Sequence, residues 1–248
     1  MTTLTVRGAT KRFGAVLALD AVDIEVRGGE VLAVLGDNGA GKSTLIKCLS
    51  GVHRLDAGSI HMDGRAVAID SPAAARALGI ETVYQDLALF DTLNPIANFY
   101  AGRELAGPAW LPRGLRLMRH ADMAKATEAV LQRLQVGIAD ARAHVGLMSG
   151  GQRQAIAVAR AAAFASQVVI LDEPTAALGL RESRRVLDLI KRLRGEGRAV
   201  IVISHAMDHV IEIADRAAVM RRGRKVGEEV PHADNRQRIV SLIVGGDG

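Results

Sequence analysis

Only one cysteine, Cys48, stands in the 248-residue chain, which excludes an intramolecular disulfide and suits a reducing compartment. It falls among Leu45, Ile46 and Leu49 and reads as core packing rather than a redox group. Aromatic side chains are nearly as scarce: one Trp, two Tyr and four Phe against a hydrophobic content of 49%, so the core must be aliphatic. No apolar run reaches the roughly 18 residues needed to cross a bilayer, and no signal-peptide pattern precedes the first alternating segment. The chain is therefore expected to stay in the cytoplasm and not to span a membrane by itself. Charge of neither sign dominates. A net charge of +5 permits acidic partners (nucleotide, phospholipid headgroups, nucleic acid) and selects none of them. The length suits one large α/β domain or a core with a smaller inserted lobe, and no internal repeat is visible.

Glycine is not scarce, and one cluster of it organises the rest. Gly36-Asp37-Asn38-Gly39-Ala40-Gly41-Lys42-Ser43-Thr44 matches G-x-x-x-x-G-K-[ST] at every specified position. The apolar run Val31 to Leu35 leads into it and Thr44 to Leu49 continues helically behind it, the strand–loop–helix context of a phosphate site. Glycines let successive N–H groups turn inward at a helix N-terminus, where the dipole favours an anion. Lys42 then reaches the β- and γ-phosphates and the Ser43 hydroxyl is placed for Mg²⁺. A flexible turn beside a solvated lysine is the bland alternative, and it requires strand, spacing and Lys-Ser-Thr to coincide by chance.

Around this loop the pattern predicts a mainly parallel α/β architecture. Residues 3–7 and 21–26 alternate as half-buried strands. Phe13 lies between them, in Lys11-Arg12-Phe13-Gly14, where it either stacks on an adenine ring or plugs a sheet edge. Ser59 to Met62 and Ala66 to Ile69 flank the tight-turn pair Asp63-Gly64. Ser71-Pro72 reads as N-cap and first helical residue, Gly79 as the stop, and Glu81 to Tyr84 as a short strand ending at Gln85. From about 86 to 165 the texture is helical, with Pro95, Pro108 and Pro112 as punctuation. A helix over 120–134 should bury Met123, Thr127, Val130 and Leu134. The basic patch Arg113, Arg116, Arg119 and His120 reads as a solvated face. Val168 to Leu171 and Ala199 to Ile203 are continuous apolar runs, as central parallel strands require. A helix with Val186, Leu189, Ile190 and Leu193 should dock on them, a hairpin should turn at Arg222-Gly223, and a short helix should close the chain near Ile239.

Chemistry gathers where these strands end. An apolar run closing in Asp172 is the arrangement in which a carboxylate holds Mg²⁺, usually through water, and Glu173 beside it can polarise an attacking water. His205, after the next buried strand, can hydrogen-bond the γ-phosphate or that water. Ser149-Gly150-Gly151-Gln152 is an S-x-x-Q capping box. Capping alone does not call for two glycines, which weaken a helix; close approach of a bulky anion would.

Leu147-Met148-Ser149-Gly150-Gly151-Gln152 is also the most specific point at which the chain resembles the ATPase subunits of ABC transporters, a resemblance covering about residues 3–230. It implies a single domain over 1–248: a P-loop core, an antiparallel β subdomain at the N-terminus and an inserted helical subdomain over about 86–165. It implies ATP as substrate with Mg²⁺, and Gln85 as a sensor of both. It gives Phe13 the adenine-stacking place, Asp172 and Glu173 the metal-holding and general-base places, and His205 the switch place. It further implies a head-to-tail dimer in which ATP lies between one subunit's P-loop and the other's Ser149-Gly150-Gly151-Gln152. Two departures stand out. Met148 replaces the usual leucine, a volume-conserving change. Ala176-Ala177-Leu178-Gly179 lacks the acidic residue usual at its last position.

Tyr84 to Leu93 resembles the corresponding region of ribose-, xylose- and fructose-type importers. Together these imply an ATP-hydrolysing subunit at the cytoplasmic face of the membrane. It would serve a permease and, indirectly, a solute-binding protein, with Gln85 to Phe99 as docking segment and Leu87, Leu89 and Phe90 as anchors. The chain carries one such domain, so it is expected to pair with itself. It ends about 43 residues past His205, too soon for the regulatory barrel of maltose-type relatives. Export, import of another solute, a soluble protein acting on ribosomes or DNA, and a metabolite kinase are the rivals. The soluble rival usually needs two such domains or a long insertion, so nucleic acid is not expected as a partner. The kinase gives no reason for Ser149 to Gln152.

Overall fold

The computed structural model describes residues 2–108, 110, 112, 117–138, 140–176 and 178–245. Strands β1 (Thr3–Phe13) and β2 (Val16–Arg27) form an antiparallel hairpin whose register shifts between Val6 and Arg12. Ala21 takes a left-handed φ of 50° there. Bulges of this kind break period-two alternation, which is why the pattern shows only the ends of each strand. Lys11 to Phe13, expected as a connection, belong to β1.

After the hairpin come β3 (Val31–Leu35) and α1 (Lys42–Leu49). The pair β4 (Ala57–Met62) and β5 (Arg65–Val67) turns at Asp63 and Gly64, both at positive φ, as a two-residue hairpin demands. Ala68 and Ile69 lie beyond β5, although Ile69 is buried. Strand order in this sheet is β2-β1-β4-β5. Helix α2 (Pro72–Ala77) starts as expected: the Ser71 side chain caps it by accepting from the Ala74 N–H, and Pro72 occupies the first turn. Strand β6 (Ile80–Val83) follows.

The next stretch holds α3 (Pro95–Tyr100), the small pair β7 (Ala106–Gly107) and β8 (Leu117–Met118), and α4 (His120–Arg133). Met123, Thr127 and Leu134 are buried as expected, with Leu131 taking the place assigned to Val130, which is only partly covered. Arg113 and Arg116 lie outside the described residues; Arg119 pairs with Asp122 at 2.6 Å and His120 is exposed.

Helix α5 (Gly150–Phe164) leads to β9 (Val168–Asp172), α6 (Leu180–Gly195) and β10 (Ala199–Ile203). Then come α7 (Met207–Ile213), the hairpin β11 (Arg216–Arg221) and β12 (Arg224–Glu229), and α8 (Arg236–Val244).

The second sheet runs β12-β11-β3-β10-β9-β6, parallel throughout except for the edge strand β12. Its apolar runs serve two faces because side chains alternate. Leu32, Val34, Ile170 and Ile201 pack with α1 and the antiparallel sheet. Val31, Val169, Leu171, Val200 and Val202 pack with α5 and α6. Cys48, 1% exposed, sits in the first of these clusters, and burial raises its thiol to about 11, an inert packing group.

Candidate nucleotide-binding site

Four parallel strands end on one edge of the sheet, and each hands the chain to a loop carrying a polar group. This is where an open α/β sheet takes ligands. One cavity of about 470 Å³ opens there. Its lining includes Asn38 to Thr44 from the loop after β3, Gln85 from beyond β6, Asp172 and Glu173 from β9, and His205 from beyond β10. Val16, Leu17 and Ala18 wall it on the side of the antiparallel sheet.

The loop is built around glycines. Gly41 is the N-cap of α1 at φ 101°, and a Cβ there would stand 2.5 Å from the Ala18 carbonyl. No side chain caps α1, so its first-turn N–H groups have no capping acceptor and face the cavity. The Lys42 ammonium donates to the carbonyls of Gly36 at 2.8 Å and Asp37 at 2.9 Å, which places it over the loop. Burial pulls that ammonium below its ordinary value, while Glu173, Asp172 and Asp37 draw it back.

Burial also pushes both carboxyls up. Lys42, Lys47 and His205 oppose the shift at Asp172; His205 is the first to oppose it at Glu173. His205 Nε2 stands 3.1 Å from Glu173 Oε1 without the alignment of a hydrogen bond, and that oxygen is buried. Glu173 itself occupies φ 52°, a strained position for a side-chain-bearing residue, pinned by its N–H donating to the Ile203 carbonyl at 3.0 Å.

Two sets of expected residues lie elsewhere. Phe13 is 44% exposed, edge-on to His53 at 5.1 Å, and does not line the cavity; its cross-strand partner Val16 does. Ser149, Gly150, Gly151 and Gln152 do not line it either. The capping box is complete: Gln152 N–H donates to Ser149 Oγ at 3.2 Å and Ser149 N–H to Gln152 Oε1 at 3.0 Å. Ser149 keeps its own hydroxyl proton to donate.

Gly151 also has a packing reason beside the one expected. A Cβ on it would stand 2.3 Å from Glu182 Cγ and 2.6 Å from its Cβ, so this glycine admits α6 against α5. At Gly150 the same construction meets only Leu178 at 3.7 Å, an ordinary contact.

Two residues that carry no sequence signal shape the segment after Gln85. Asn98, buried in α3, accepts from the Phe90 N–H at 2.8 Å and donates to the carbonyls of Phe90, Leu93 and Asn94 at 3.0, 3.2 and 3.1 Å. Arg160 of α5 holds the carbonyls of Leu87 and Ala88. Neither stands at a spacing that distinguishes it from ordinary helix residues. Leu87 and Leu89, expected as outward anchors, pack partly against the helical core, which leaves Phe90 exposed.

Fold and site together define a nucleoside-triphosphate-binding P-loop domain. Residues 19–176 match the ABC transporter family. The chain is 50% identical over 224 residues to the fructose import ATP-binding protein FrcA of Rhizobium meliloti, covering 90% of this chain and 86% of that one. It is 42% identical to the xylose/arabinose import ATP-binding protein XylG of Sulfolobus acidocaldarius, covering 97% and 93%. A ribose import ATP-binding protein of Rubrobacter xylanophilus is 44% identical, with 98% of this chain matched to 47% of the relative. Among solved structures, the ADP conformation of MJ1267, an ATP-binding cassette of an ABC transporter, superposes with a TM-score of 0.81 at 24% identity, over 99% of each chain. The chain belongs to the ABC transporter family of ATP-binding cassettes.

Proposed function

We propose that the chain is the ATP-hydrolysing subunit of a monosaccharide importer, held at the cytoplasmic face of a membrane by a permease. The carrying observation is the convergence of Lys42, Ser43, Gln85, Asp172, Glu173 and His205 on one cavity. The sugar class is supported by relatives whose names specify fructose, xylose/arabinose and ribose import. No helix among the described residues is long and apolar enough to cross a membrane, and in this reading a permease would carry the solute.

Loop N–H groups and Lys42 bind the phosphates, and Glu173 takes the proton of the attacking water, with His205 holding that water or the γ-phosphate in line. Mg²⁺ fits the donor set: Ser43, Gln85 and Asp172 offer hard oxygens but only one carboxylate. That is the pattern for an ion completed by substrate phosphates and water, and the ion would supply charge neutralisation there. Phe13, at the tip of its hairpin, would stack on an adenine ring extending past Val16.

The Ser149 helix start is outside its own cavity, and Leu147 just before it and Leu180 at the start of α6 are 83% and 89% exposed. A second copy turned by two-fold symmetry would bring Ser149, Gly150, Gly151 and Gln152 to the γ-phosphate and cover both leucines. The permease would dock at Gln85 to Phe99, with exposed Phe90 as its apolar anchor and Asp86 and Asp91 as charges.

Two experiments test this reading. Disruption of the gene should abolish uptake of fructose, xylose, arabinose or ribose; unchanged uptake of all four overturns the sugar assignment. Lys42→Ala and Ser149→Arg subunits, each inactive alone, should recover activity when mixed, because one interfacial site in the mixed dimer keeps both halves. Absence of recovery, with ATP still bound by the Ser149→Arg parent, overturns the composite site.

A further inference from the structure

Leu87 and Ala88, two and three residues beyond Gln85, both sit in the left-handed region, at φ 60° and 46°. Neither is glycine, and for L-residues that conformation brings Cβ against the backbone. A connecting loop does not hold two such residues in succession unless its surroundings over-determine it. One side chain takes both carbonyls: Arg160 donates from Nη1 to Ala88 O at 2.8 Å and from Nη2 to Leu87 O at 3.0 Å.

The Arg160 guanidinium is half-buried, and burial draws it below its ordinary value, with the neighbouring Arg103 acting in the same sense and Glu81 against. Arg103 already occupies Glu81, donating to its two oxygens at 2.7 and 3.0 Å, and lies 4.4 Å over the Phe164 ring. Among the described residues Arg160 therefore has no carboxylate of its own. Its planar fork is spent on two neutral carbonyls, a geometry a lysine cannot reproduce. Beyond the clamped pair, Asn98 fixes the segment from Phe90 to Asn94. The chain is thus held from two helices just after Gln85, while Arg160 itself does not line the nucleotide cavity.

We propose that Arg160 is a positioning residue for Gln85: its fork locks the left-handed pair and so fixes where the glutamine side chain stands in the cavity. This rests on the reading of Gln85 as a nucleotide sensor. It also gives α5 two tasks. Ser149 caps its start and Arg160 lies eleven residues on, about 16 Å along a helix rising 1.5 Å per residue, so one rigid element joins the Ser149–Gln152 helix start to the loop beyond Gln85.

The test uses the purified chain with Mg–ATP and compares Arg160→Met, Gln85→Ala and the double variant. Arg160→Met keeps an apolar stem but no fork. It should lower kcat about ten- to a hundredfold, the scale of a misplaced catalytic group, with KM for ATP within about twofold because the phosphate loop is untouched. The double variant should be no slower than the slower single variant, and amide exchange at residues 86–90 should speed up while that of β9 and β10 is unchanged. Arg160→Lys, which offers one point donor, should fall between and replaces Arg160→Met if the latter fails to fold. A Gln85→Ala loss with no loss in the Arg160 variant, multiplying effects in the double variant, or unchanged exchange at 86–90 overturns the proposal while leaving Gln85 in its role. A fully active Gln85→Ala removes the sensor reading itself, and the positioning role with it.

Discussion

Glu173 combines three costs at one residue. It is a carboxylate only 16% exposed, one of its oxygens is buried without a hydrogen bond, and its backbone is left-handed at φ 52°. Its replacements should therefore lose activity and gain stability, and three of them separate the causes. Glu173→Gln keeps the shape and removes the base, so turnover should fall about 10²–10⁴-fold while ATP still binds. The folded-state carboxyl is held above its ordinary value by burial, so its stabilising contribution is present below the unfolded value and is lost as pH rises through the folded one. Glu173→Gln should accordingly melt higher than the parent at pH 7, with the gap closing as pH falls towards the ordinary glutamate range. The same shift moves the contribution of Glu173 to the acid limb of the parent's kcat/KM above the range of a normal glutamate, and the variant should lack that contribution. Glu173→Ala and Glu173→Gly differ only by the Cβ. A left-handed L-residue costs roughly 1–2 kcal/mol, and glycine returns part of this as chain entropy, leaving about 1 kcal/mol in favour of Gly. For a chain of this size that is about 2–4 °C in Tm, a reversal of the usual order of Ala and Gly. Calorimetry of the two decides it: an alanine variant as stable as the glycine one refutes the strain argument, and near-parental turnover in Glu173→Gln refutes the general base.

Lys42→Ala should abolish ATP hydrolysis, since it removes the ammonium held over the loop by the Gly36 and Asp37 carbonyls; near-normal phosphate release would sink the phosphate-loop reading. Gly151→Ala should lower stability by about 1–2 kcal/mol through overpacking on Glu182, a Tm fall of about 2–8 °C, whereas unchanged melting would return Gly151 to a purely anion-facing role. Gly179→Asp should fold normally, because Gly179 is at φ −69° as the N-cap of α6 and its nearest obstacle is the mobile end of Glu182, with a stability change of a few tenths of a kcal/mol. If the missing carboxylate matters for communication between two sites, that variant changes the cooperativity of ATP hydrolysis; unchanged cooperativity shows that it does not.

The parts of the site legible in the sequence are those whose chemistry forces a local pattern. The phosphate loop needs glycines between a strand and a helix, and buried parallel strands need unbroken apolar runs, so Lys42, Asp172 and His205 announce themselves at run ends. The Ser149–Gln152 capping box is likewise a local matter, and both its bonds form. What stayed illegible depends on partners distant in sequence. The packing reason for Gly151 stayed hidden because its neighbour there, Glu182, lies on another helix. Bulges hid the middle of β1 and the start of β2, since alternation fails where register shifts. Leu87 and Leu89 read as free anchors because only the fold shows the helical core beside them. Nothing near Arg160 or Asn98 in sequence shows that they hold the loop beyond Gln85.

The arrangement also explains why rigid and strained parts alternate around the cavity. Residues at the ends of β3, β9 and β10 are fixed by ladders on both sides, so Asp172 leaves the sheet in register with Ile203 of β10. The next residue must then turn sharply to aim its carboxylate at the phosphate loop, and the turn is made at Glu173 with a left-handed backbone. Beyond β6, next to β9 towards the other end of the sheet, Gln85 faces the same demand, and the strain falls two and three residues later at Leu87 and Ala88. In both places a hydrogen bond with a distant element holds the turn: the Ile203 carbonyl accepts from Glu173 in one case, and Arg160 donates to Leu87 and Ala88 in the other. Glu173 and the pair beyond Gln85 thus hold conformations that the local sequence disfavours and the tertiary structure imposes. A movement of α5 that loosens Arg160 would displace Gln85 without disturbing the phosphate loop. If Arg160 positions Gln85 as proposed, catalysis would be conditional on where the helical layer stands.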